Sequence, residues 1–199
     1  MSALRRILRA PVAAFAELRD DSNEAAQERQ EAVLLVILLA GIASVLSTST
    51  AARLLDDSTY DGLLVVVWAF IGGSLYGAFA YFAAGGLLHF GAVGLGSSRS
   101  YRADRHLLAF AAVPVALSLV LWPLRLALFG GDWFRAGGSD SGAAGTAFVI
   151  LDAGFLVWTI ALVVVGLRVV NVWSWRRALA ALGLAVALPL LLALVYLFR

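Results

Sequence analysis

Cysteine is absent from this 199-residue chain, so it can build no disulfide framework, no thiolate nucleophile and no cysteine-held zinc or iron-sulfur centre. Lysine is absent as well, and all fifteen basic residues are arginine. Charge is scarce, at 14% of residues with a formal net charge of +2. A nearly neutral, all-arginine set reads as genomic codon bias rather than as a nucleic-acid surface, and no nucleic-acid partner is expected. Catalytic signatures are missing too. There is no GxSxG, no HExxH and no phosphate loop, because Gly94 and Gly96 lack the strand and lysine that such a loop needs. A cleavable signal peptide would need an apolar core close behind Met1, and the first thirty residues hold none. The first apolar segment is therefore expected to act as an uncleaved signal.

What the chain has is apolar surface: 62% hydrophobic residues and a mean hydropathy of +0.90. One soluble core of this size cannot enclose that much. About 20 apolar residues cross roughly 30 Å of hydrocarbon, and five stretches qualify: residues 32–50, 63–91, 107–129, 146–170 and 178–198. The expected fold is all-α, a bundle of five transmembrane helices. Residues 1–31 are read as an amphipathic interfacial helix followed by a solvated acidic connector, and residues 32–199 as the transmembrane domain.

Arginine bias sets the expected orientation, since cationic short loops stay in the cytoplasm. Eleven arginines fall on the N-terminal side of the membrane, against Arg53, Arg135 and Arg199 on the other. The N-terminus is thus expected in the cytoplasm of a bacterial cell and the C-terminus outside the inner membrane. Trp173 and Trp175, beside Arg176 and Arg177, read as an aromatic and basic anchor at the inner interface. Before the first span, Leu4, Ile7, Leu8, Pro11, Val12, Phe15 and Leu18 recur at helical spacing. This stripe is expected to lie in the lipid interface, bent at Pro11, with packing on the protein's own loops as the alternative.

In the second span Gly73, Gly77, Tyr81, Gly85 and His89 recur every four residues, and Gly72 and Gly86 widen the stripe. Such a stripe reads as a helix-packing groove. Arg125 and Asp152 lie about 7 Å below the same surface at 1.5 Å per residue, on consecutive antiparallel spans. They are expected to form an intramembrane ion pair, or Arg125 to snorkel to the surface, rather than to serve as a proton or ion relay. Pro114, Pro123 and Pro189 read as kinks. A metal site from His89, Asp104 and His106 is conceivable but weakly signalled, and the stretch from Gly130 to Gly145 reads as flexible and solvated.

Three segments together carry a resemblance: RAPVAAFAEL near the start, GGLLHFGAVGLGSSRSYRADRHLLAFAAVPVAL at the end of the second span, and WTIALVVVGLRVVNVWSWRRALAAL later. Its most characteristic part is the glycine-rich turn, Ser100, Tyr101 and Arg102, and the Ala-Ala-Val-Pro step ending at Pro114. In this order the chain resembles the bacterial branch of the YIP family, the Ypt/Rab-GTPase-interacting membrane proteins. The resemblance implies five spans and a cytoplasmic N-terminus, and no activity. Eukaryotic relatives are associated with Rab GTPases, but their long N-terminal region and its Asp-Leu-Tyr-Gly-Pro motif are not evident here, so a GTPase partner is not supported. The preferred function is a non-enzymatic membrane scaffold that engages lipids, other membrane proteins or a second copy of itself, without a cofactor. A small transporter or channel, and a membrane-embedded enzyme, are the alternatives.

Overall fold

The computed structural model describes residues 2–197, with side chains from residue 5 onward except at position 192. The expectation for Leu4 falls on a side chain outside that description. Among the described residues nine α-helices follow in order: α1 (Ser2–Arg9), α2 (Pro11–Glu17), α3 (Asn23–Leu46), α4 (Gly62–Gly94), α5 (Tyr101–Ala111), α6 (Val113–Leu117), α7 (Leu121–Phe129), α8 (Ala143–Asn171) and α9 (Trp175–Leu197). Five segments are long and apolar enough to cross a membrane: α3, α4, the composite from Tyr101 to Phe134, α8 and α9. The chain forms two compact units, one of Met1–Leu34, Ala80–Ala111 and Ile160–Arg199, the other of Leu35–Phe79 and Ala112–Thr159.

Helix starts follow from short polar caps, whose side-chain oxygens accept backbone N–H groups that have no partner within the helix. Ser22 Oγ accepts from Ala25 at 3.3 Å, Asp61 Oδ1 from Leu64 at 2.9 Å and Ser100 Oγ from Ala103 at 3.1 Å. The cap at Ser22 corrects the sequence reading of the acidic stretch. Residues 23–31 are not a connector but the first turns of α3, because Glu, Gln and Ala favour the helix and Ser22 starts it. Prolines segment the third span. Pro114 opens α6 and Pro123 sits in the first turn of α7, with a 3₁₀ turn at Ser118–Val120 between them. Pro189 lies inside α9, which runs on past it.

In the second unit the glycine stripe does part of what its spacing implies. A Cβ at Gly41 of α3 would strike the Gly73 carbonyl oxygen and would lie 2.8 Å from Gly77 Cα, and one at Gly73 would lie 2.5 Å from Ile42 Cα. Backbones of α3 and α4 therefore touch across Gly41, Gly73 and Gly77, gaining the close van der Waals packing that holds helices together in lipid. The 3₁₀ turn Ala51–Asp56 leads away from α3 and buries Ala51 and Leu54 against Trp133 and Phe134.

In the first unit, α4 and α8 both end in a Schellman turn. Ser97 N donates to Ala92 O at 3.0 Å around Gly96, whose φ is +82°. Trp173 N donates to Arg168 O at 2.9 Å around Val172, whose φ is +56°. Glycine suits the left-handed position, whereas β-branched valine is strained there.

The N-terminal arm corrects a second expectation. Ile7, Phe15 and Leu18 are buried in the protein rather than turned to lipid. Phe15 reaches the surface of α8 beside Gly166, where Leu107 of α5 also packs. Large apolar side chains on this arm remain exposed at Leu8 and Val12.

Two substitutions test this account by thermal unfolding in detergent. Val172→Gly is expected to stabilise by about 1 kcal/mol by relieving the left-handed strain. Gly77→Leu is expected to lower the unfolding temperature by forcing α3 and α4 apart; an unchanged temperature would contradict the contact.

Candidate functional site

Arg125, in the composite third span, and Asp104 are the two wholly buried charged side chains among the described residues. Residue spacing assembles the surroundings of Arg125: Trp122 stands one turn earlier on α7, while Phe148 and Asp152 share a face of α8 four residues apart. After α7, a 3₁₀ segment at Gly130–Phe134 folds back and buries Trp133 and Phe134. This corrects the reading of the stretch that begins at Gly130 as flexible and solvated. Its first residues pack because two large rings have more surface to lose from water than the flanking glycines can keep exposed.

Arg125 Nη2 donates to Asp152 Oδ2 at 2.6 Å, with the arginine side chain wholly buried and the aspartate 25% exposed. The guanidinium carbon lies 4.9 Å from the Trp122 ring centroid, 4.6 Å from Trp133 and 5.1 Å from Phe148. Trp122 stands edge-on to Trp133 at 6.0 Å and stacks on Phe134 at 5.7 Å. Arg125 Nε and Nη1 have no hydrogen-bond partner among the described residues. The rings that enclose them offer cation–π attraction, worth about 2 kcal/mol each when desolvated. Asp152 also borders a cavity of about 450 Å³ with Ser47, Thr48 and Thr146 along its wall.

Arginine does not release its proton in a protein, and Arg125 has one carboxylate neighbour and otherwise aromatic walls.

The first unit carries the other polar groups. His89 Nδ1 and Asp104 Oδ2 share a hydrogen bond of 2.7 Å, with Asp104 wholly buried. Among the described residues no three His, Cys, Asp or Glu side chains converge to hold a metal. The grouping of His89, Asp104 and His106 is thus not assembled, because residues two apart on a helix point to different sides and Asp104 is already taken by His89. Of the second-span stripe, Gly85 faces α5, where an added Cβ would lie 2.5 Å from Arg105 Cγ and 3.4 Å from Arg105 Cα. Tyr81 lies under the Arg105 guanidinium at 5.0 Å.

Arginines on this unit make contacts that charge counting missed. Arg19 donates through Nε and Nη2 to the Val169 carbonyl at 3.0 and 2.8 Å, and Arg29 to the Glu17 and Asp20 carbonyls at 2.8 and 2.7 Å. Arg99 donates to Arg19 O at 2.8 Å and Arg102 pairs with Asp21 at 3.0 Å. Arg177 donates through Nε to Leu95 O at 2.9 Å and lies over Trp173, while Arg168 lies over the exposed Trp175 and Arg176 is exposed. No local sequence signal marks these contacts, since Arg99 and Arg102 lie 80 and 81 positions from their partners Arg19 and Asp21.

Removing one member of the Arg125 pair leaves the other buried without its partner, which in soluble proteins costs about 3–5 kcal/mol. Asp152→Leu and Arg125→Leu are each expected to destabilise the protein more than the double substitution, as read from unfolding in micelles. Additive losses would show that the two side chains are not coupled.

The Yip1 domain family model matches residues 5–197. Comparison with curated proteins and with solved structures returned no match. The matched region takes in all five spanning segments, the arginine-rich first unit and the sealed arginine of the second. The chain therefore belongs to the Yip1-domain family and is a multi-pass membrane protein.

Proposed function

We propose that this Yip1-domain protein is a non-enzymatic organiser of a bacterial cytoplasmic membrane, with its N-terminus in the cytoplasm and its C-terminus outside. It acts by presenting a rigid spanning surface to lipids and partner helices. The observation that carries this reading is the closure of Arg125: the intramembrane charge on which a solute path would be built is wholly buried among Trp122, Trp133 and Phe148. A transport site needs its charge to meet water or substrate in turn. Arginine contacts to helix ends and loop carbonyls support the same reading, because they fix the first unit rather than leave it free to move.

A second reading, a small-solute transporter, is favoured by one observation: Asp152 keeps part of its surface on the cavity near Ser47 and Thr48. Reconstituted proteoliposomes separate the two. The organiser reading expects ion and proton flux at the level of empty vesicles, together with photo-crosslinks from an amino acid placed at the exposed Val12 to lipid, a defined membrane protein or a second copy. Flux that Asp152→Asn abolishes in a folded protein would overturn it.

A further inference from the structure

The first unit contains a cavity of about 380 Å³ bounded by the first turns of α3, by α4 near Tyr81 and Phe82, and by α5 near Arg102 and Arg105. We propose that this cavity binds the phosphate of an anionic phospholipid headgroup, with Arg105 as the charged ligand and α3 supplying neutral donors. The inference deepens the organiser reading by naming the lipid class, and it rests on that reading.

Arg105 is an arginine prepared for a partner that the protein does not supply. Its guanidinium carbon lies 5.0 Å from the Tyr81 ring centroid, 4.7 Å from Phe82 and 4.5 Å from Tyr101. Tyr101 is itself held by a 2.6 Å hydrogen bond from its hydroxyl to the Phe82 carbonyl. Room for the arginine stem comes from Gly85, where any Cβ would collide with Arg105 Cγ. Yet its buried Nε has no hydrogen-bond partner, and it forms no ion pair among the described residues. Neighbouring cations are committed: Arg102 to Asp21 and Asn23, Arg29 to two carbonyls and Arg99 to a third. Stacked on rings, the guanidinium has lost its rotamer freedom and keeps its forked N–H edge, the geometry that matches a phosphate oxygen pair.

The rest of the wall fits a lipid headgroup rather than a carboxylate or a cation. Asn23, Gln27 and Gln30 line the cavity and repeat at three and four residues along one face of α3. Glu24 and Glu31 flank this face three and four residues from Gln27, but no carboxylate is among the lining residues. Further along the same face come Val33 and Leu34, also in the wall. The lining therefore passes from amides and a guanidinium to apolar side chains within three turns of one spanning helix. That is the order in which a phospholipid presents phosphate, glycerol and the first acyl carbons at the membrane interface.

The test is native mass spectrometry of the full-length protein released from neutral detergent after incubation with phosphatidylglycerol or phosphatidylcholine. Wild-type protein is expected to retain phosphatidylglycerol in preference to phosphatidylcholine. Arg105→Gln should lower that retention about tenfold, the loss of one charge-assisted fork. The pair Gln27→Leu and Gln30→Leu, at exposed positions that leave folding unaffected, should lower it several-fold. Arg53→Gln, an exposed arginine of the other unit, should leave it unchanged. Equal retention of the two lipids by wild type, or retention untouched by both the Arg105 and the glutamine variants, would overturn the proposal. A parallel arm with millimolar inorganic phosphate distinguishes the source: Arg105-dependent thermal stabilisation equal to that given by phosphatidylglycerol would mean a free phosphate site and sink the lipid assignment. Measured ion flux would overturn the organiser reading while leaving the retention result standing, so the two failures are distinguishable.

Discussion

A guanidinium cannot be taken out of water without compensation, and in the second unit nearly everything near Arg125 serves that need. Burying an isolated charge costs several kcal/mol even after local relaxation, so the position survives only if a carboxylate and polarisable surface arrive together. Asp152 brings the charge, one helix away. Trp122, Trp133 and Phe148 bring the ring faces, from α7, from the 3₁₀ segment after it and from α8. The fold-back at Gly130–Phe134 is required by this arrangement, since Trp133 comes to within 4.6 Å of the guanidinium. Leu54 and Ala51, packed on the same ring cluster, tie the connection after α3 to it as well.

The first unit solves a different problem with the same residue type. Helix ends and short connections leave carbonyls without helical partners, and here arginines reach them: Arg19 to the end of α8, Arg29 to the residues before α3, Arg177 to the turn after α4. Such contacts are charge-assisted and stronger than neutral ones. They also explain why the N-terminal arm packs on the protein. Once Arg19 and Arg102 hold the residues around Asp20 and Asp21, the preceding chain is brought to the surface where Phe15 fits beside Gly166. Charge at the end of a spanning segment therefore carries two messages at once, a topological one and an architectural one. Counting arginines reads only the first.

That distinction marks how far the sequence was legible. Apolar length located all five spans, whereas Ser100, which caps the start of α5 at Tyr101, lies ahead of the apolar run counted from residue 107. The depth argument put Arg125 opposite Asp152, because helix rise converts residue number directly into distance. Glycine spacing on α4 located the contact with α3 at Gly73 and Gly77. At Gly85 the same stripe meets α5, and what an added Cβ would strike first is the Arg105 side chain rather than backbone, a distinction that spacing cannot make. The start of α3 was missed because hydropathy ignores helical turns that are polar. The burial of Trp133 and Phe134 was missed because glycine-rich flanks suggest solvent, while the event that buries two rings is a long-range contact with α7 and α8. Phe15 was assigned to lipid for a related reason: an amphipathic stripe announces an apolar partner without saying which one.

The Yip1-domain match and the five spanning segments make the chain a multi-pass membrane protein of that family. The central claim is that Arg125 sits in a dry aromatic enclosure. Hydroxyl-radical footprinting of the protein in lipid nanodiscs tests it directly, because the indoles of Trp122 and Trp133 wall the enclosure while Trp175 is exposed. Slow modification of Trp122 and Trp133 beside fast modification of Trp175 is the predicted result. Modification of the enclosing tryptophans as fast as that of Trp175 would place water at Arg125 and contradict the account.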